Sequence, residues 1–137
     1  MTSRSHVLVL AGTALALAAC GSGKATLAIF AGTWQGHSRG LTITRAGRGK
    51  ESIYFGSDFV LAMEFRLSGP QGAPRAATAT ATVTAVRIGD RSVFTTGNPA
   101  PHVGESRTIR LRDGVITETF TGTNFCSPSA KHWVCGA

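Results

Sequence analysis

Past residue 30 the apolar positions recur at every second residue and almost nowhere at every third or fourth. Side chains alternate between the two faces of a strand, so this spacing predicts β-structure rather than helix. Leu41, Ile43 and Arg45 alternate with Thr42 and Thr44, and Ala46-Gly47-Arg48-Gly49 turns the chain into a second run at residues 50–55. Leu61, Met63, Phe65 and Leu67 then share a parity opposite Ala62, Glu64 and Arg66, which gives the third run one clear apolar face. Residues 75–88 form a long strand with Thr78, Thr80, Thr82 and Thr84 on one face and Ala77, Ala79, Ala81, Val83 and Ala85 on the other. Gly89-Asp90 supplies a turn into a short strand at residues 91–95.

The clearest hairpin lies late in the chain, where residues 107–112 meet residues 115–123 across Asp113-Gly114. Asp-Gly accepts the positive backbone angles that a two-residue hairpin turn requires. On the returning strand Ile116, Glu118 and Phe120 share a parity. Either a charge sits among apolar neighbours, or Thr117 and Thr119 point inward and Glu118 is solvated; the second arrangement is the expectation. The segments add up to an all-β domain of seven or eight antiparallel strands, arranged as a meander barrel or a sandwich. Closure has the advantage of removing exposed strand edges.

The first 30 residues follow different rules. A basic start at Arg4, an apolar run and small residues before Cys20 make up the three parts of an export signal. Residues 7–19 number 13, short of the ~20 needed to cross a bilayer as a helix. Leu17-Ala18-Ala19-Cys20 resembles the lipobox of bacterial lipoprotein precursors. That resemblance implies a cleaved signal peptide at 1–19, a diacylglyceryl group and further acylation, such as palmitate, on Cys20, and a chain held in the cell envelope on the extracytoplasmic side of the membrane. Two or more acyl chains make such anchoring stable where one does not. An ordinary secreted protein and an uncleaved anchor are the alternatives. Residues 20–30, with Gly21-Ser22-Gly23, read as a flexible tether, and residues 31–137 as a single β-domain.

With Cys20 assigned to lipid, Cys126 and Cys135 remain, and an exported chain pairs such thiols; their eight-residue separation does not match the CxxC of metal or redox pairs. Removing residues 1–19 from the 137 leaves 118, enough for one core, and takes Arg4 away, so 13 basic against 7 acidic residues give a net charge of +6. This excess favours anionic partners, which at an envelope are head groups or acidic polymers. Arg107, Arg110 and Arg112, together with Arg45, Arg48 and Lys50, are the candidate contact patch. One tyrosine and an exported address argue against nucleic acid, although the basic stripe alone would fit it.

Gly32-Thr33-Trp34 resembles the Gly-x-Trp that opens lipocalin-like barrels, where the tryptophan plugs the closed end. Thr33-Trp34-Gln35-Gly36-His37 with Cys135-Gly136-Ala137 is also similar to small exported proteins of high-GC actinobacteria, a group that brings no activity with it. An eight-stranded barrel either fills with side chains or holds one small ligand. Ala79 and Ala81 would line such a cavity, or permit close packing against bulky partners such as Phe55, Phe59, Phe65, Phe94, Phe120 and Trp34; the filled core is the expectation.

Catalytic patterns are thin. His37, His102 and His132 are scattered without metal-ligand spacing, there is no Gly-x-Ser-x-Gly elbow at a strand-to-helix turn, and no glycine loop leads into a helix that would cradle phosphate. Paired carboxylates would have to converge from Glu51, Asp58, Glu64, Glu105 and Glu118. The expectation is therefore a membrane-anchored, non-enzymatic domain without cofactor or metal that binds or contacts envelope material through its basic surface. A lipocalin-like carrier of an apolar ligand is one alternative. An inhibitor of a secreted enzyme, presenting Trp133 on the disulfide loop, is another.

Overall fold

The computed structural model describes residues 23–130 and Cys135. Cys20, His132 and Trp133 lie outside the described residues. Eight antiparallel strands close into a barrel in which each pairs with its sequence neighbours and the last returns to the first. They are β1 (Gly32–Gly36), β2 (Arg39–Ile43), β3 (Arg48–Phe55), β4 (Asp58–Ala73), β5 (Ala76–Ile88), β6 (Ser106–Arg112), β7 (Val115–Glu118) and β8 (Thr123–Cys126). The seam is short, a single register pair between Gln35 and Cys126. Closure gives every strand a neighbour on both sides, which limits the exposed edge that a chain this rich in strand-forming residues would otherwise present.

The alternation read from the sequence sets the interior. Leu41 and Ile43, Met63, Phe65 and Leu67, Ile109 and Leu111 all point inward and are buried. Ala77, Ala79 and Ala81 are buried in the same cluster as Phe30, Trp34, Met63, Phe65 and Phe125, so the small side chains of β5 are matched by bulky ones. Ala85 departs from that face. The register passes from Phe65 opposite Val83 to Glu64 opposite Ala85, and this bulge at Thr84 turns Ala85 outward and brings Val86 and Ile88 toward the core. Phe59 and Phe55 also lie outside the core: Phe59 carries Arg87 over its ring at 4.4 Å, and Phe55 is exposed.

Two predicted strands are corrected. Residues 91–95 form a 3-10 turn (Arg91–Val93) instead, because the Asp90 carboxylate accepts from both the amide and the hydroxyl of Ser92 and winds the chain there. The single returning strand predicted at residues 115–123 is two strands, β7 and β8. Between them the Glu118 carboxylate accepts the amides of Phe120 and Thr121, and Gly122 takes a positive φ of 67°. Those bonds draw Glu118 inside, where it is 1 % exposed, so the solvated arrangement expected for it is overturned. The Asp113-Gly114 turn does form as read, with φ of 48° and 79°.

The two ends of the barrel differ. At one end the chain enters β1 and leaves β8, and the connections 44–47, 74–75 and 113–114 are tight. A 3-10 turn (Leu27–Phe30), within the segment read from sequence as tether, packs Phe30 completely into this end, and the Ala25 amide bonds the carbonyl of Gly72 at 2.9 Å. Trp34 of the Gly-x-Trp donates its indole N–H to the Phe30 carbonyl at 3.0 Å, fastening the plug. The Cys126–Cys135 disulfide leaves from the same end, with Cα atoms 5.8 Å apart. At the opposite end residues 89–105 form a long connection over the mouth, where Val93 and Phe94 pack on Ile53, Val60 and Leu61.

Candidate binding site at the barrel mouth

Inside the mouth the inward parity of three strands carries charge instead of hydrocarbon. Arg39 precedes Leu41 and Ile43 on β2, Glu51 precedes Ile53 on β3, and Glu118 follows Ile116 on β7. The turn after β7 adds Thr121. Register places Arg39 opposite Ile53 and Glu51 opposite both Leu41 and Met63, so barrel curvature gathers these side chains from strands distant in sequence. Glu51 is 0 % exposed.

The hydroxyl of Thr121 lies 2.7 Å from Glu118 Oε2 and 3.3 Å from Glu51 Oε1. A hydroxyl carries one proton, so it donates to one carboxyl and can only accept from the other. Both carboxyls are pushed toward their protonated forms. Burial, then the neighbouring Glu118 charge, push the Glu51 pKa up to about 8, against the opposing pull of Arg39 and the Thr121 hydrogen bond. Glu118 is likewise held above its ordinary value, because burial outweighs the Thr121 hydroxyl, the amides of Phe120 and Thr121, and the Arg39 charge, which all favour its ionised form. Thr121 thus sits between the two carboxyls, closer to Glu118, with the Arg39 guanidinium facing Glu51.

Two polar atoms are left without a protein partner, Arg39 Nη1 and Glu51 Oε2, both buried. Arg39 Nη1 is 3.9 Å from Glu51 Oε1, beyond hydrogen-bonding distance. Buried polar atoms are almost always hydrogen-bonded, so these two are exceptions among the described residues. A cavity of about 70 Å³ adjoins Arg39, with Arg39, Asn98 and Thr121 as its polar lining and Phe94, Val93 and Phe120 among its apolar walls. No carboxylate lines it. Outside the rim, Arg39 also borders an open polar groove with Gln35, Ser38 and Tyr54.

Around the mouth Glu105 ties the lid to its base. It takes Arg107 at 2.6 Å and the His102 ring and amide at 3.2 Å each. Arg107 is thus an ion-pair partner at the mouth, whereas Arg110 and Arg112 lie on the outer face of β6 toward the plugged end. Arg48 and Lys50 occupy β3, separated from β6 by β4 and β5, so the six cations grouped from sequence do not make one continuous patch. His37 and His102 are both exposed and sit in separate connections, and among the described residues no cluster of three potential metal ligands occurs.

Arg39, Thr121 and the Glu51–Glu118 pair were not singled out together from the sequence. Arg39 and Glu51 did carry a signal, since both continue the inward parity of an apolar strand. Phe30 had none, because its burial depends on a barrel end that only the closed fold creates.

The fold defines a class, an eight-stranded up-and-down β-barrel plugged at one end and lidded at the other. Compared with protein-family models, with curated proteins and with solved structures, the chain matches none.

Proposed function

We propose that the chain is an exported, lipid-anchored and non-enzymatic domain that stands on the plugged end of its barrel and presents the lidded mouth to envelope material. The observation that carries this reading is the polarity of the barrel. Residues 23–30, which follow Cys20 in the sequence, lie at the plugged end, and exposed cations collect around that same end: Lys24, Arg45, Arg48, Arg75, Arg110 and Arg112. Asp113, paired with Arg75 at 3.2 Å, offsets one of them. A basic surface beside a lipid anchor meets anionic head groups, each suitably placed cation adding on the order of 1 kcal/mol near an anionic membrane. The mouth, with its orphaned polar atoms, then points away.

Binding fits this site better than catalysis. Glu51 and Glu118 resemble an acid–base pair in their raised pKa values, but both are buried and neither lines the cavity. The carrier alternative has less support, since Ala79 and Ala81 pack within a filled cluster. Trp133, on which the inhibitor alternative rests, lies outside the described residues.

Anchoring is tested by growing an expressing bacterium with labelled palmitate. The wild-type chain should take up label and sediment with membranes, and Cys20→Ser should do neither. An unlabelled wild-type chain ends the anchored reading.

A further inference from the structure

Beside the plugged end, the outer face of the barrel carries an open groove of about 440 Å³ over β4, β5 and β6. Strand pairing makes it. The register of β4 against β5 slips between Ser68 and Gln71. Beyond the slip the outward positions form two cross-strand rows, with Gln71, Thr78 and Arg110 in one and Ala73, Ala76 and Arg112 in the other. Gly72 lies between them on β4 with a φ of 97°, and a Cβ there would fall 2.4 Å from the Ala76 carbonyl oxygen. Glycine and alanine therefore keep the floor low, while the two arginines stand along one side. The volume lies within the ~300–1,000 Å³ usual for small-molecule sites.

The side chains around this floor suit an anion. Alternate residues of a strand lie about 7 Å apart, so both guanidinium groups reach one group placed between them. The ion pairs among the described residues engage Arg39, Arg75, His102 and Arg107, and neither Arg110 nor Arg112. Asp113, next to Arg112 in the chain, is turned to Arg75 at 3.2 Å, and no carboxylate lines the groove. Gln71 and Thr78 add uncharged donors. Phosphate matches the fork of guanidinium N–H groups, which donate to it two at a time. The floor itself offers only the Ala76 methyl and the Gly72 backbone, a surface for hydrocarbon.

Position identifies where such a phosphate comes from. The Ala25 amide bonds the carbonyl of Gly72, in the groove itself, at 2.9 Å. Cys20 precedes Ala25 by five residues. That length of chain spans at most about 18 Å, so a lipid on Cys20 keeps the groove close to the membrane surface. Resting on the anchored reading, we propose that the groove holds one anionic phospholipid of the anchoring membrane. Its phosphodiester sits between Arg110 and Arg112, and its glycerol and first chain carbons lie over Gly72 and Ala76. A covalent anchor alone leaves the barrel free to roll on the bilayer. This second point of attachment holds the plugged end down on the side of β4–β6.

The test is a titration of the full chain carrying Cys20→Ser, followed by amide NMR, with dihexanoylphosphatidylglycerol below its micelle concentration as the probe. Glycerol phosphate and dihexanoylphosphatidylcholine are the comparisons, one without chains and the other without net charge. Phosphatidylglycerol should shift the amides of Gly72, Ala76 and Arg110, and bind about fivefold or more tighter than either comparison. Arg110→Gln and Arg112→Gln should each weaken it about tenfold, as for loss of a charge-assisted hydrogen bond. Ala76→Leu, at an exposed position, should weaken it as much by filling the floor without altering charge. Arg45→Gln with Arg48→Gln, at the same end but outside the groove, should change it less than about twofold, because salt screens distant charges. Equal binding of glycerol phosphate would overturn the lipid assignment, since phosphate alone would then suffice. Binding that Ala76→Leu leaves unchanged, or that the Arg45 and Arg48 changes weaken as strongly, would replace the groove with a diffuse basic surface. No shift from phosphatidylglycerol would overturn the site outright. The anchored reading fails separately, by absence of palmitate on the wild-type chain, whichever way the titration falls.

Discussion

Adding a single methyl group at Gly49 tests whether the barrel interior is packed as described. Gly49 lies on β3 directly opposite Phe65, whose ring crosses over it into the core. A Cβ at Gly49 would fall 2.1 Å from Phe65 Cε2 and Cζ and 2.7 Å from Cε1. Carbon atoms in contact sit at about 3.5–4.0 Å, so the ring must retreat by roughly 1.5 Å. It has nowhere open to go, being 2 % exposed within the cluster that holds Met63, Leu67 and Ala81. Overpacking of this kind costs about 1–3 kcal/mol, and the depth of the clash puts Gly49→Ala near the upper value. Against a total stability of about 5–15 kcal/mol this is readily measured. Urea unfolding followed by tryptophan fluorescence, with the disulfide intact, should show a lower midpoint at unchanged slope. Phe65→Leu makes room for the methyl, so the double variant should be more stable than the sum of the two single changes predicts, by about 1 kcal/mol or more. A Gly49→Ala chain within about 0.5 kcal/mol of wild type, or strict additivity in the cycle, would refute the packing argument.

Glu51 gives a pH prediction with a definite sign. Its carboxyl rises from 4.5 to about 8 on folding, so its contribution to stability is complete below about pH 4.5 and is lost as pH rises through about 8. Glu51→Gln should flatten the fall in stability across that window in urea titrations at several pH values; parallel slopes for the two proteins would contradict it. Phe30→Ala removes a fully buried plug and should cost about 3–5 kcal/mol by thermal or urea unfolding, and a loss under 1 kcal/mol would mean the plug is not part of the core. Replacing Cys126 and Cys135 together with serine should cost roughly 2–3 kcal/mol, and mass spectrometry of the wild-type chain should show two hydrogens fewer than after reduction. In flotation assays the chain carrying Cys20→Ser should associate with phosphatidylglycerol vesicles more than with phosphatidylcholine vesicles, and Arg110→Glu with Arg112→Glu should reduce that preference; no difference between the vesicles would remove the role given to the basic end.

What the sequence determined by itself is local. A period of two fixes which face of a strand is apolar, so the inward positions of β4 and the alanines 77 to 81 could be read directly from spacing. The Asp113-Gly114 turn was equally legible, because positive φ is a property of those residues and their immediate backbone. Where a side chain intervenes in the backbone pattern, spacing misleads. Asp90 winds residues 91–93 into a turn, Glu118 bends the chain after β7, and the bulge at Thr84 reverses the parity that would have placed Ala85 inside. The sequence also held Arg39 and Glu51 at inward parity, but parity says nothing about which residues meet across a barrel.

Only the closed structure decided that. Closure gives the barrel two unlike ends, makes Phe30 and Trp34 a plug at one, and brings Arg39, Glu51, Glu118 and Thr121 together at the other from β2, β3, β7 and the β7–β8 turn. The physical reason is distance along the chain. Glu51 and Thr121 are separated by 70 residues, and their contact depends on every strand pairing between them, whereas strand periodicity and turn preference act within a few residues.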